Sequence, residues 1–384
     1  MPSPPLSPAH CRVCGSALPP APALTLRNMP GAAQNFPDAA SLANDRGCDL
    51  HLHECGGCGL VQIPGPPVPY YREVIRAAAF SDGMRDFRAA QLAAWVQTHG
   101  LQGRRILEVG CGKGEYLHLL AACGVQAVGL EYAQASVAHC RQAGLEVLRG
   151  FPHARQAWPA PAFDGFMTLN FMEHWPRPVQ TLRAIGRHLA PDGVGLVEVP
   201  NFDMVLKEGL YSEFISDHLS YFTRDTFAFA LRHAGFDVLA MDSVWHDYIL
   251  SATVRKRRPT DLAALQSHGG AVTRAIHDFV ARFAPHSVAV WGAGHQALAV
   301  LALAGLGAEH IRYVVDSAPF KQGRFTPATH IPIVAPTHLA ADPVQAIIVM
   351  AAAYSDEVAR LIRERHQLGI PVAVLRAHGL EEPA

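Results

Sequence analysis

The segment LEVGCGKGEY at 107–116 puts three glycines on alternate positions, directly after an apolar strand pattern and directly before a helical one. Gly110, Gly112 and Gly114 let the backbone turn sharply and approach a ligand closely, where a side chain would clash or resist positive φ. Such a loop demands a strand before it and a helix after it, the repeating unit of an open parallel sheet. Glu108 lies within the strand. A pyrophosphate would sit poorly beside that carboxylate, whereas a sulfonium cation is favoured by it. Glu131 ends the next strand pattern, VGLEYA, seventeen positions beyond Gly114. An acid there can accept hydrogen bonds from both hydroxyls of a ribose. Cys111 and Tyr132 flank these two elements, Phe151 follows the third strand where an adenine can stack, and Asn170 follows the fourth. All fall at the carboxyl ends of strands, where open sheets bind ligands.

Strand and helix patterns alternate through 104–255: RRILEV, a helix from Glu115, QAVGLE, a helix near 135–143, FDGFMTL, a helix at 179–188 and GVGLVEV. This predicts a parallel sheet covered on both faces. FDVLAMDSV and DYILSATVRK follow as an antiparallel edge, and the basic run 255–258 before Pro259 marks a boundary. A second, smaller α/β series occupies 259–384, with HSVAVWG, IRYVVD, AIIVMA and VAVL as strands. Before the first series, 70–96 reads as two helices separated by a cap-like turn at 81–83. The division is therefore 1–68, 69–258 and 259–384, consistent with a chain of 384 residues at roughly 100–200 residues per domain.

The first 68 residues are rich in Pro and Gly and hold no long periodic segment, so they cannot bury a self-sufficient core. Cys11-Arg-Val-Cys14 and Cys55-Gly-Gly-Cys58 are each followed by glycine, the spacing of a zinc knuckle. Four thiolates form a closed tetrahedral site, so zinc there is structural and not catalytic. Forty residues separate the pairs and must loop out, with MPGAAQNF placed to cover a substrate; Cys48, His51 and His53 lie near enough to compete as ligands. Charge is nearly balanced, 32 Lys and Arg against 33 Asp and Glu, without the basic footprint of a nucleic-acid binder. The start MPSPPLSPAHC has no signal-peptide pattern and no run reaches the roughly 18 apolar residues of a membrane span, so a cytoplasmic chain without a membrane partner is expected.

Two histidine segments follow sheet strands: FMEHWP with His174, and SDHLSYF with Asp217, His218 and Tyr221. His218 is the candidate general base, with Asp217 as the adjacent acid that orients its ring. Each histidine has a plain structural alternative as a capping or core residue. Tyr70, Tyr71, Ser81 and Tyr221 are candidate substrate contacts. In the C-terminal series the Gly292-Ala-Gly294 loop either holds a nucleotide phosphate or merely turns the chain, and Lys321 either pairs with a phosphate or is solvated.

From 104 to 254 the chain resembles the class I S-adenosylmethionine-dependent methyltransferases. With CRVCGS, CGGCGL, MPGAAQNF, DHLSYFT, VWGAGHQALAVL and VVDSAPFKQGRFTPATHIPI in this order, the whole chain resembles the sugar C-methyltransferases. That resemblance implies an N-terminal zinc module, a Rossmann-like methyltransferase core and a C-terminal Rossmann-like domain. It implies that Glu108, Gly110, Gly112 and Gly114 surround the methionine part of S-adenosylmethionine, with Glu131 on the ribose. It further implies a small-molecule acceptor, a nucleotide-linked 4-keto-deoxysugar methylated at C3 through an enolate, with His218 as base in a monomer or homodimer. Asp217 replaces the family's glutamate, and Ile215 stands where the family has tyrosine. O- or N-methylation of a sugar or another small acceptor is the alternative. A nicotinamide oxidoreductase or a zinc-based adaptor would fit less well, given Glu108 and the balanced charge.

Overall fold

The computed structural model describes residues 10–34, 36–73, 81–153, 162–365, 369–377 and 379–382. They divide into two compact units, 1–258 and 259–384.

The first unit opens with β1 (Leu24–Met29), β2 (Cys48–Glu54) and β3 (Val61–Gln62). Then come α1 (Asp82–Thr98), β4 (Arg105–Val109), α2 (Glu115–Ala122), β5 (Gln126–Glu131), α3 (Gln134–Gln142) and β6 (Glu146–Arg149). β7 (Phe163–Leu169), α4 (Pro178–Arg187), β8 (Leu189–Pro200), α5 (Phe202–Glu208) and β9 (Ser220–Tyr221) follow, and α6 (Arg224–His233), β10 (Phe236–Val244) and β11 (Ile249–Lys256) complete it. The helix read in the first part of 70–96 extends over 74–80, outside the described residues; the second is α1.

Seven strands form one sheet in the order β10-β11-β8-β7-β4-β5-β6. The pairs β4–β5, β4–β7, β5–β6 and β7–β8 are parallel, while β11 runs antiparallel to both β8 and β10. The strands alternate between two apolar layers. Ile106, Met167 and Leu196 pack with Leu92 and Trp95 of α1 and Leu120 of α2. Their neighbours Leu107, Phe166 and Val197 pack with Leu182 and Ile185 of α4 and Phe227 and Leu231 of α6. Period-two burial on both faces is what a sheet covered by helices on each side requires. Because the chain leaves β4 in one direction toward β5 and returns on the other side at β7, the carboxyl ends of β4 and β7 flank the switch point where such sheets bind ligands.

The 1–68 segment packs within the same compact unit as the methyltransferase-like segment. β1, β2 and β3 form an antiparallel sheet whose fourth strand is β9, from the methyltransferase-like segment. Cys11, Val13, Cys55 and Leu60 share a core with Trp175, Phe222 and Phe227. Arg12 adds a clamp: its guanidinium donates to the carbonyls of Pro176 (3.2 Å), Ile63 (2.8 Å) and Gly65 (2.7 Å). A segment too short to bury its own core thus borrows one.

The second unit comprises α7 (Ala263–Val280), β12 (Val288–Trp291), α8 (His295–Leu303), β13 (Ile311–Val315), β14 (Ile333–Val334), α9 (His338–Ala341), β15 (Ala346–Val349), α10 (Ser355–Arg365), β16 (Val372–Arg376) and β17 (Gly379–Glu381). Its sheet runs β14-β13-β12-β15-β16-β17, parallel except for β17. The α/β architecture expected for both halves is present. No helix among the described residues is long and apolar enough to cross a membrane.

Candidate active site

The glycine loop joins β4 to α2. Gly110 has φ 75°, and a Cβ on it would lie 2.6 Å from the Phe171 ring. Gly114 caps α2 at φ 88°, and a Cβ there would lie 2.5 Å from Leu145. Both positions therefore combine a left-handed backbone with a close neighbour, which glycine alone tolerates. A Cβ on Gly112 would meet nothing within 4 Å, so that edge of the loop is open. Glu131 ends β5, its Oε2 accepting from Gly112 N (3.0 Å) and its Oε1 from Ala133 N (2.7 Å). Burial raises its pKa despite those bonds. Glu108 is buried in β4. An open loop edge with a strand-end carboxylate beside it fits a ribose and a methionyl chain.

Phe151, after β6, meets Tyr71 edge-on at 5.7 Å and Trp175 at 6.3 Å. The Arg72 guanidinium lies over Tyr71, Tyr132 and Phe151 at 5.1, 5.3 and 5.4 Å. Tyr71 thus belongs to the aromatic wall beside Phe151. Cys111 sits between the first two glycines of the loop. Its side chain is fully buried with Leu117, Val137 and Cys140 under the loop, where it packs and does not reach the open edge. Asn170 holds φ 50° just past β7, its N–H bonded to Glu198 O (3.0 Å). Its Oδ1 has no hydrogen-bond partner among the described residues.

Beyond β8 a small cleft has Pro200, Phe202 and Val205 on its apolar side and His218, Ser220 and Glu213 among its polar residues. The rings of His218 and His174 meet edge-on at 4.7 Å. His174 Nδ1 is 2.9 Å from the carbonyl of Asp217, and Nε2 is 3.9 Å from Glu173 Oε1. A carbonyl only accepts, so Nδ1 carries the hydrogen and Nε2 is the basic nitrogen. Glu173, His174 and His218 each place a ligating atom within 4.8 Å of the others. Burial pushes Glu173 up to about 8 and His174 down to about 4. Burial, and then the neighbouring His174, hold His218 well below the usual histidine value. Both imidazoles are neutral at pH 7.

Asp217 does not orient His218 through its carboxylate. Oδ2 accepts from Ala33 N (2.9 Å), and the single Ser216 hydroxyl hydrogen is shared between Gly31 O (3.0 Å) and Oδ2 (3.3 Å). The acid fastens the 30–33 part of MPGAAQNF over this region; Asn35 lies outside the described residues. Burial and then Asp217 raise the Tyr70 hydroxyl to about 12, placing Tyr70 at this latch. The carboxylate near the histidines is Glu173, which sequence reasoning passed over because it reads as one more acid in FMEHWP. Tyr221 has its ring toward the cleft while its hydroxyl bonds to the N–H and carbonyl of Ile215, each at 3.1 Å. Ser81 is the N-cap of α1, its Oγ accepting from Met84 N at 3.2 Å.

Cys11, Cys14, Cys55 and Cys58 bring their Sγ atoms within 4.8 Å of one another, with Cys11 to Cys58 at 3.6 Å and Cys14 to Cys55 at 3.4 Å. A tetrahedral zinc with Zn–S about 2.3 Å needs sulfur separations near roughly 3.8 Å, so the four thiols fit that ion. The other candidate ligands are engaged elsewhere: His51 with Thr25 (3.1 Å), His53 with the Pro19 carbonyl (3.0 Å) and Cys48 with the Pro30 carbonyl (3.9 Å).

Residues 84–241 match the methyltransferase domain family, and residues 262–373 match the C-methyltransferase C-terminal domain. These two matches identify an S-adenosylmethionine-dependent methyltransferase with a C-methyltransferase C-terminal domain. This methyltransferase is 25% identical to the C-methyltransferase NovU of Streptomyces niveus over 68% of its own length and 70% of that protein. It is 33% identical to a ubiquinone biosynthesis O-methyltransferase of Stutzerimonas stutzeri, over 26% of this chain and 46% of that one. Among solved structures, an S-adenosylmethionine-dependent methyltransferase of Clostridium acetobutylicum aligns at TM-score 0.39 and 13% identity, covering 49% of this chain and 96% of the other.

Proposed function

We propose that this methyltransferase transfers the methyl group to a carbon α to a ketone, with a nucleotide-linked 4-keto-deoxysugar as acceptor. The supporting observation is the neutral His218 imidazole lining the cleft with Glu173 close behind it. S-adenosylmethionine supplies the electrophilic sulfonium methyl. Glu131 would hold its ribose, and Phe151 with Tyr132 would flank its adenine. His218 removes the α-proton, the C–H electron pair becomes an enolate, and its carbon forms the new bond to the methyl as the bond to sulfur breaks. Glu173, when ionised, offsets the charge that His218 acquires. Zinc held by Cys11, Cys14, Cys55 and Cys58 would have no part in the transfer and would serve the core that Cys11 and Cys55 share with Trp175 and Phe222.

The similarity to O-methyltransferases, confined to about a quarter of the chain, favours a second reading in which His218 deprotonates a hydroxyl. Incubation with adenosylhomocysteine and a nucleoside-diphosphate 4-keto-6-deoxysugar in D2O separates the two. Loss of the α-proton signal by NMR, dependent on His218, is expected for carbon methylation. No exchange, with a methyl found on oxygen or nitrogen when labelled S-adenosylmethionine is used, would overturn it.

A further inference from the structure

The cleft that holds His218 contains a carboxylate that the proposed chemistry leaves without a task. Glu213 lines it together with the apolar Pro200, Phe202 and Val205. Its carboxylate is steadied by the Tyr248 hydroxyl, which donates to Glu213 Oε2. The turn that places Tyr248 is unusual. Trp245, His246 and Asp247 have φ values of 50°, 59° and 63°, three successive non-glycine residues in the left-handed region. Such strain persists only where its surroundings over-determine it. Here Asn201, which follows β8, donates through Nδ2 to Asp247 O (2.7 Å) and Ser243 Oγ (3.3 Å), while its backbone N–H donates to Tyr248 O (2.9 Å). Trp245 packs against Phe87 of α1 at 5.3 Å. The hairpin turn is thus pinned from two sides, with Tyr248 bonded to a cleft residue.

We infer that Glu213, held by Tyr248, is the acceptor-recognition residue of the cleft and takes a hydrogen-bond donor, a hydroxyl or an ammonium, carried by the substrate beside its reacting carbon. A carboxylate only accepts, so it selects donors and repels anionic groups. Pro200, Phe202 and Val205 in the same lining favour the deoxygenated face of a ring. One carboxylate oxygen is engaged by Tyr248, which leaves the other to meet the substrate. This inference rests on the sugar-acceptor reading above.

The test uses the zinc- and cofactor-loaded full chain and three nucleoside-diphosphate 4-keto-6-deoxysugars that differ only in bearing an amine, a hydroxyl or hydrogen next to the ketone-activated carbon. Glu213→Ala is expected to lower kcat/KM about 10- to 100-fold for the amine and hydroxyl acceptors, chiefly through KM, and to leave the hydrogen analogue unchanged. Glu213→Gln separates the two donor types: it spares the hydroxyl acceptor within a few-fold and still impairs the ammonium one. Tyr248→Phe should give a smaller effect of the same pattern. Unaltered thermal midpoints and adenosylhomocysteine affinity show that the variants are folded. Equal losses across all three acceptors, or no loss at all, overturn the role of Glu213 while leaving the acceptor class intact. If the parent enzyme neither binds nor methylates any of the three, the sugar-acceptor reading falls and this inference falls with it.

Discussion

At the end of β5, Glu131 accepts a hydrogen bond from Gly112 N in the loop after β4; just past β13, Asp316 accepts one from Ala293 N (2.8 Å) in the loop after β12. The two α/β units thus tie a glycine loop to the acid of the next strand in the same way. They part in what else the acid meets. Asp316 also receives Lys321 Nζ at 2.9 Å and Ala318 N at 2.8 Å. Although burial opposes it, these partners hold the Asp316 pKa below the usual carboxylate range. Glu131 accepts from the backbone N–H groups of Gly112 and Ala133, and burial keeps its pKa raised. A diol arriving at Glu131 need only displace a loop bond, whereas one arriving at Asp316 must break an ion pair. Lys321 therefore has an internal partner, in place of the phosphate or solvent weighed for it from sequence. A glycine loop with an acid downstream is thus a device for closing a βαβ turn in both units.

The largest effect should come from what lies past the loop in the first unit. His218→Ala is expected to retain adenosylhomocysteine binding and lose about 10²- to 10⁴-fold in kcat, the usual contribution of a positioned base. Turnover measured with labelled S-adenosylmethionine checks this, and near-parent rates would move the base elsewhere. Next is the staple that the second unit lacks. Removing the metal with a chelator, or Cys55→Ser, should cost about 3–5 kcal/mol and lower the thermal midpoint of the first unit by roughly 10–15 °C. Elemental analysis should find about one zinc per chain.

In the first unit, burial shifts Glu173 and His174 away from their ordinary values. Glu173 titrates higher in the folded chain, near 8 against an ordinary 4.5, so its stabilising share is complete below 4.5 and lost as pH rises through 8. His174 is depressed toward 4, so its share is complete above 6.5 and lost as pH falls through 4. Between pH 6.5 and 8 the fall belongs to Glu173. Glu173→Gln should flatten that limb of the melting profile, an effect of a few kcal/mol. A limb that persists in the variant would assign it to another group. Smaller still is the direct contrast between the two acids. Glu131→Ala should weaken adenosylhomocysteine binding about 10- to 100-fold by calorimetry. Asp316→Asn should leave that affinity unchanged and lower only the stability of the second unit.

The sheet, its order of strands and helices, and the loop with Glu131 were legible because each rests on local pattern: β-branched runs, alternate glycines, an acid at a strand end. The cysteine pairs were legible as pairs, and their convergence across forty residues is what the fold adds. What escaped was carried by long-range contacts between ordinary residues. β3 and β9 pair over two residues each, too short to read as strands. Asp217 meets Ala33 from 184 positions away, so adjacency to His218 suggested a partnership that the backbone does not make. Glu213 and Tyr248 lie 35 apart and carry no motif.

Ser81 shows how a single hydroxyl can be read both ways. Its place before DGMRDF marks a helix start, and its place among polar residues near the core suggests a substrate contact. The structure gives it φ −68° and ψ 157° at the N-cap, with Met84 N donating to Oγ. An N-cap satisfies an orphan donor of the first turn, and its loss costs about 0.5–2 kcal/mol. Ser81→Ala should therefore lower the thermal midpoint by about 1–8 °C, with kcat and acceptor KM at parent values. Ser81→Asp, a good cap that also suits the positive end of the α1 dipole, should restore stability. A substrate contact predicts the reverse: a raised acceptor KM in Ser81→Ala that the aspartate fails to rescue, with little change in melting. The two outcomes are distinguishable in one pair of variants.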